Sequence, residues 1–242
     1  MDARSLSEFY ESPMGQRTRR LILRRLRQLW PNTAGRRVLG YGFTQPYLRA
    51  FLAEAERCIA AVPAAIGEVV PWPQSACLVT LVEEDALPFP DAFFDLILVA
   101  HGLEEAEGLR PLLRQLWRVL APEGRLMIVA PNRASLWAQM ERSPFGRGRP
   151  FSRGELDALL RGALFVPEHW QRALYAPPIA NRMLAGSGTG WERFGARFLS
   201  GLGGVHVVEA SKSLYAPATP APALSAAGRA RAQTRLKPVG TD

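Results

Sequence analysis

Val82-Glu83-Glu84-Asp85-Ala86-Leu87-Pro88-Phe89-Pro90-Asp91-Ala92-Phe93-Phe94-Asp95-Leu96-Ile97-Leu98-Val99-Ala100-His101 opens the segment that decides the fold. An acidic tripeptide leads into a proline-bounded turn, then a β-rich apolar run that ends at a histidine. Next comes a helix-period stretch: Leu109, Leu112, Leu113, Leu116 and Leu120. The turn Pro122-Glu123-Gly124 and a second apolar run over 126–130 follow, stopped by Pro131. Strand, helix, turn, strand is a βαβ unit, and such a unit implies a parallel sheet.

Upstream of this unit, 36–42 reads as a first strand, 46–57 as a helix and 58–62 as a short second strand. Pro63, Pro71 and Pro73 then leave little room for a full crossover helix before a third strand over 77–82. The fourth and fifth strands are 94–100 and 125–130. Downstream, 135–150 reads as a loop or short helix, and Ser152 with Glu155 forms a capping box that opens a helix to about residue 163. Strands are expected over 170–175 and 204–209, with a helix between them over 191–199. Residues 1–16 read as an irregular lead-in. Alternating strands and helices place the chain in the α/β, doubly wound class. The domain expectation is a basic helical extension over 1–34, an α/β domain over 35–215 and a disordered Ala/Pro/Arg-rich tail over 216–242.

The 242 residues allow one substantial core, with apolar residues at 48% and charged residues at 21%. No apolar run approaches the roughly 20 residues of a membrane span. Asp2, Glu8 and Glu11 occupy the place of a signal's apolar segment, so a cytoplasmic location is expected. Cys58 and Cys77, both expected in strand surroundings, are too few for a disulfide scaffold or a zinc site. The net charge of +8 concentrates in one helix carrying Arg17, Arg19, Arg20, Arg24, Arg25 and Arg27 opposite Ile22, Leu26, Leu29 and Trp30. That helix reads either as docked by its apolar stripe or as a surface for nucleic acid, an anionic membrane or an acidic protein.

The wording of residues 87–98 resembles the class I S-adenosylmethionine-dependent methyltransferases, of the small-molecule "type 11" kind. Arg118-Val119-Leu120-Ala121-Pro122-Glu123-Gly124 resembles the same family's turn before its fifth strand, and the likeness extends over about 36–132. The resemblance implies a mostly parallel, seven-stranded Rossmann-like sheet with helices on both faces and an antiparallel last strand. It implies S-adenosylmethionine as cofactor and a small-molecule or anionic substrate.

Residue by residue, the resemblance places Gly40, Tyr41 and Gly42 in the turn after the first strand, where backbone must come close to a ligand. Gly42 matches the first of three family glycines. Gly40 stands where the family has an acidic residue, and Thr44 and Pro46 stand where it has glycines two and three. The family's ribose-binding carboxylate at the end of strand two has no counterpart in Ile59-Ala60-Ala61-Val62-Pro63, although Glu68 follows nearby. Asp85 matches the position that contacts the adenine amino group, with Ala86 and Leu87 flanking the ring.

His101 lies where the family presents catalytic or substrate-side residues, so a neutral imidazole there is a candidate base, or else a structural strand-end histidine. His169 and His206 read as structural. Arg142, Arg147, Arg149 and Arg153 suit an anionic group or a solvated lid. Two functions follow: a methyltransferase, or a non-catalytic chain of that fold serving as an interaction or regulatory subunit with a protein partner. Nucleic-acid binding has charge alone behind it.

Overall fold

The computed structural model describes residues 2–67, 71–73, 76–141, 143–176, 195, 197 and 201–214. Seven strands form one sheet: β1 (Arg37–Gly42), β2 (Arg57–Pro63), β3 (Val79–Val82), β4 (Phe94–Ala100), β5 (Leu120–Pro131), β6 (Phe165–Ala173) and β7 (Val205–Lys212). Their order is β3-β2-β1-β4-β5-β7-β6. The ladders from β3 through β5 are parallel, whereas β7 runs antiparallel to both β5 and β6. The expected doubly wound sheet with its antiparallel last strand is the observed one. The chain reverses its direction of travel between β1 and β4, so their carboxyl ends border the crevice in which such sheets hold ligands.

Successive strand residues point to opposite faces, and the core divides accordingly. Val38, Leu96, Leu98, Met127, Val129, Val205 and Val207 pack on one side with α1 (Ala3–Glu11) and α2 (Pro13–Leu29). Leu39, Tyr41, Ile97, Val99, Leu126, Ile128 and Val208 pack on the other with α4 (Leu109–Val119) and α5 (Arg153–Gly162). The continuous apolar run of β4 is thus a strand covered on both faces. Arg37 ties it to β1, its backbone N–H and Nε donating to Asp95 Oδ2 at 2.8 and 3.3 Å.

Residues 1–16 are not an irregular lead-in. Asp2 caps α1 by accepting from Ser5 N at 2.8 Å. Ser12 then ends α1 and starts α2 with one hydroxyl, which donates to Phe9 O at 2.6 Å and accepts from Gly15 N at 3.0 Å. Pro13 is at the first helical position, where its missing N–H costs nothing. Gly15 is required at this elbow, because a Cβ there would fall 1.9 Å from Phe9 O. Along α2, Gly15, Thr18, Ile22 and Leu26 are the buried stripe, while Arg17, Arg20 and Arg24 are exposed. Arg27 pairs with Glu54 at 2.7 Å and lies over the Phe51 ring.

The helix expected over 46–57 is confined to α3 (Gln45–Leu48). Beyond it the chain makes tight turns, with Ala50 N to Tyr47 O, Phe51 N to Leu48 O and Glu54 N to Phe51 O. Glu54 is drawn instead to Arg27 and Thr33, the Arg27 bond chiefly holding its carboxyl down to about 2. Among the described residues between β2 and β3 only the short turn Ala64–Ile66 is helical, in keeping with the prolines, and Glu68 lies outside the described residues.

Cys77 is not in a strand; it is exposed, two residues before β3, whereas Cys58 is buried in β2 and its thiol is pushed up to about 12 by burial. Pro122-Glu123-Gly124 is a local irregularity inside β5 rather than a turn ahead of it, the register against β4 shifting there. The capping box of Ser152 and Glu155 is present and starts α5. The helix expected at 191–199 lies almost wholly outside the described residues, and the 216–242 tail wholly so. Among the described residues no helix is long and apolar enough to cross a membrane.

Candidate active site

The turn after β1 is built by close packing. A Cβ on Gly40 would lie 2.1 Å from Thr44 Oγ1 and 2.5 Å from Leu48 Cδ1, so an acidic side chain has no space there. Glycine at 40 and threonine at 44 are therefore one linked exchange relative to the family pattern: the hydroxyl occupies the volume a side chain at 40 would fill. That Thr44 hydroxyl is buried and has no hydrogen-bond partner. Gly42 has φ +90, and a Cβ on it would meet Ala100 O at 2.3 Å and Gly102 N at 2.9 Å. Its freedom brings the β1 turn against the end of β4. Tyr41 points to the opposite face, where burial raises its phenol above the ordinary value.

Asp85, Ala86 and Leu87 sit on the turn after β3. Asp85 and Ala86 are exposed and Leu87 is buried. Arg118 fixes the following turn, donating to Leu87 O at 2.7 Å, Phe89 O at 2.9 Å and Asp91 Oδ1 at 2.6 Å. The segments that carry the family wording are thus held together by a guanidinium–backbone clamp. β2 ends at Val62 and Pro63 without a carboxylate.

His101 follows β4 with φ +52, a conformation uncommon for a residue with a side chain. Its Nε2 lies 2.7 Å from the Tyr10 hydroxyl, which lies 2.7 Å from the Tyr47 hydroxyl. Tyr10 stacks on Phe43 at 6.1 Å between centroids, and Phe145 lies 5.1 Å from the imidazole. Burial pushes His101 down to about 3, so the ring is neutral at physiological pH. Glu104 Oε1 is 4.0 Å from the other ring nitrogen, Nδ1. Burial raises this carboxyl to about 7.

Leu6, His101, Glu104, Glu105, Pro144 and Arg147 line a cavity of about 10 Å³ here, room for one water at most. The structure therefore brings Gly40, Gly42 and His101 to adjacent strand ends, and sets Asp85, Ala86 and Leu87 apart across β2. Tyr10, Tyr47 and Glu104 were not singled out from the sequence. Only Glu104, three residues after His101, had a local signal; the tyrosines arrive by tertiary approach.

The arginines of 142–153 do not form one cluster. Arg147 donates to Glu141 O at 2.9 Å, Arg149 lies over Phe151, and Arg153 lies over Trp170; Arg142 is outside the described residues. Asn132 is structural, its Nδ2 donating to Gly201 O and Gly203 O. His206 is buried, its ring pushed down to about 4 chiefly by desolvation, with Nε2 3.2 Å from Phe151 O, and His169 lies on the strand beside it. No group of three or more metal-ligating side chains occurs among the described residues.

S-adenosylmethionine fits this frame at its adenine end. The exposed Asp85 with Ala86 and Leu87 suits an adenine, whereas the Thr44 hydroxyl is buried beneath Gly40 and is not open to a ligand. The ribose has no carboxylate from β2.

Residues 39–128 match the profile of a family described as "Methyltransferase domain". A demethylmenaquinone methyltransferase of Thermus thermophilus is 33% identical over 114 residues, 46% of this chain and 51% of that protein. The ubiquinone/menaquinone biosynthesis C-methyltransferase UbiE of Pectobacterium carotovorum is 47% identical over 45 residues, 19% of this chain and 18% of that protein. The chain thus spans about half, or less, of the curated relatives it matches. A S-adenosylmethionine-dependent methyltransferase from Archaeoglobus fulgidus shares the fold at a TM-score of 0.58 and 18% identity, over 85% of this chain and 96% of that one. Motif wording over 39–128 and sheet order converge: the chain carries a segment that matches the methyltransferase-domain family, set in the fold that S-adenosylmethionine-dependent methyltransferases share.

Proposed function

We propose that this protein transfers a methyl group to a small, hydroxyl-bearing aromatic acceptor at the carboxyl end of β4, beneath α1. The observation that carries this reading is His101: a buried, neutral imidazole whose Nε2 already accepts or donates a hydrogen bond at 2.7 Å from a phenol. Tyr10, Phe43, Tyr47 and Phe145 make a ring-lined surround, which suits a planar acceptor. The Thermus relative's name, a demethylmenaquinone methyltransferase, supports a planar ring as acceptor.

When bound, S-adenosylmethionine supplies a methyl on a sulfonium sulfur that needs only an in-line nucleophile. Asp85 would hold the adenine amino group and the β1 turn the amino-acid end. His101 would take the acceptor's proton. Entry of the acceptor requires α1 to lift, since Tyr10 stands on His101.

The second reading, a non-catalytic subunit, is favoured by the carboxylate-free end of β2 and by Tyr10 standing in the site. Thermal melting with S-adenosylhomocysteine separates the two. Ligand at about 100 times its dissociation constant adds about 2.7 kcal/mol, a rise of roughly 5–11 °C for a chain of this size. Absence of a rise at millimolar ligand removes the transferase reading. With a rise in hand, Asp85→Ala should weaken binding about tenfold and leave the unliganded melting point unchanged.

A further inference from the structure

We infer that Glu104 is the positioning residue for His101, holding the ring with Nδ1 protonated so that Nε2 turns a bare lone pair toward the acceptor's hydroxyl. This rests on the methyl-transfer reading above. Both side chains are enclosed, with 6% of the His101 side chain and 4% of the Glu104 side chain exposed. Neither carboxyl oxygen of Glu104 has a hydrogen-bond partner. The backbone N–H groups of residues 102–104 face it closely enough to favour its ionised form, yet outside hydrogen-bonding geometry. The nearest ring nitrogen is Nδ1 of His101 at 4.0 Å, and Glu104 borders the same cavity as that ring. Buried acceptors left this way are costly, so a purely structural carboxyl would be expected to find a donor.

The backbone shows that Glu104 is held in place on purpose of packing rather than left over. Arg149 N donates to Glu104 O at 2.8 Å. Gly148 has φ +69, and a Cβ on it would lie 2.7 Å from Glu104 O and 2.9 Å from Glu104 Cβ. The glycine- and arginine-rich stretch after residue 143 therefore closes over Glu104 rather than forming an arginine anion site. Of the other charged groups at the cavity, Arg147 already donates to Glu141 O, and Glu105 adds negative charge that raises the Glu104 carboxyl.

In the proposed reaction the acceptor's hydroxyl oxygen would form a bond to the methyl carbon while the methyl–sulfur bond breaks, the sulfur keeping that electron pair. The acceptor's O–H proton passes to His101 Nε2. The resulting imidazolium, disfavoured by burial, is balanced by the Glu104 carboxylate through Nδ1–H. Catalytic hydrogen bonds are commonly long without substrate and tighten with it, which accommodates the 4.0 Å separation.

The test is nitrogen-15 NMR of the His101 ring in the full chain at pH 8, with the signals assigned by their loss in His101→Gln. The wild type should carry its proton on Nδ1, and Glu104→Leu should move it to Nε2. Glu104→Gln, whose amide oxygen still accepts, should keep it on Nδ1. A wild-type ring protonated at Nε2 overturns the inference without any variant, and so does a Glu104→Leu ring that keeps its Nδ1 proton. No cofactor is in the tube, so failure here is distinct from failure to bind S-adenosylhomocysteine.

Discussion

The hydroxyl of Tyr10 stands 2.7 Å from Nε2 of His101, joining residues 91 positions apart. One belongs to the first helix and the other to the end of the strand at the sheet's switch point. The first helix is therefore part of the site's wall, and its Tyr10 hydroxyl bridges His101 to Tyr47.

Replacing Tyr10 by phenylalanine keeps the ring contacts and removes that bridge. Two buried groups, Tyr47 Oη and His101 Nε2, lose their partner, which costs about 1–3 kcal/mol. The melting point should fall by about 2–12 °C. A variant that melts with the wild type would mean the hydroxyl contributes nothing to holding α1.

Stability should depend on pH through Glu104 and His101 in opposite senses. The fold keeps Glu104 protonated up to about 7, whereas its ordinary value is 4.5. Its contribution is full below about 4.5 and is lost as pH rises through 7. For His101 the folded value is about 3 against 6.5, so its contribution is full above 6.5 and is lost as pH falls toward 3. Glu104→Gln should gain on the wild type only as pH climbs past 4.5, by at most about 3 kcal/mol above 7. Melting curves at pH 4, 5.5 and 8 check this; an equal gain at all three contradicts the buried-carboxyl account.

Gly42→Ala should lose about 2 kcal/mol or more, since it adds a contact with Ala100 O to a left-handed backbone. Gly35, at φ +68 with nothing within 4 Å of its absent Cβ, is the control and should lose about 1 kcal/mol. Equal losses in denaturant melts would show that the approach of β1 to β4 does not depend on residue 42.

On α2 the buried stripe and the basic face separate cleanly. Leu26→Ala should cost about 2–5 kcal/mol, whereas Arg24→Gln should stay within about 0.5 kcal/mol. Comparable losses would make the arginine face a structural contact instead of a solvated one.

How much of this was readable in advance follows from what each residue interacts with. The apolar run Phe94–Ala100 and the Ser152–Glu155 capping box announce their structures because both signals are local. His101 was legible as the residue that ends such a run. The first helix was missed although Asp2, Ser12 and Pro13 carry cap chemistry, because Ser12-Pro13-Met14-Gly15 also has the composition of a turn. The helix over 46–57 was overdrawn: it stops at Leu48, and Glu54 is turned toward Arg27 and Thr33, contacts that no local pattern announces. The exchange of Gly40 with Thr44 looks like two lapses in a motif until coordinates show one hydroxyl filling one space. Tyr10 and Tyr47 carried no warning, as nothing within a few residues of either marks the partner.

The elbow at Ser12 and Gly15 fixes the angle at which the first two helices meet. Phe9's carbonyl rests where a methyl group on residue 15 would have to go. An alanine at that joint would wedge the two helices apart and tilt Tyr10 off the imidazole, from a position that touches no substrate. The surroundings of His101 thus depend on a space no larger than one carbon atom, held open at the junction of two helices.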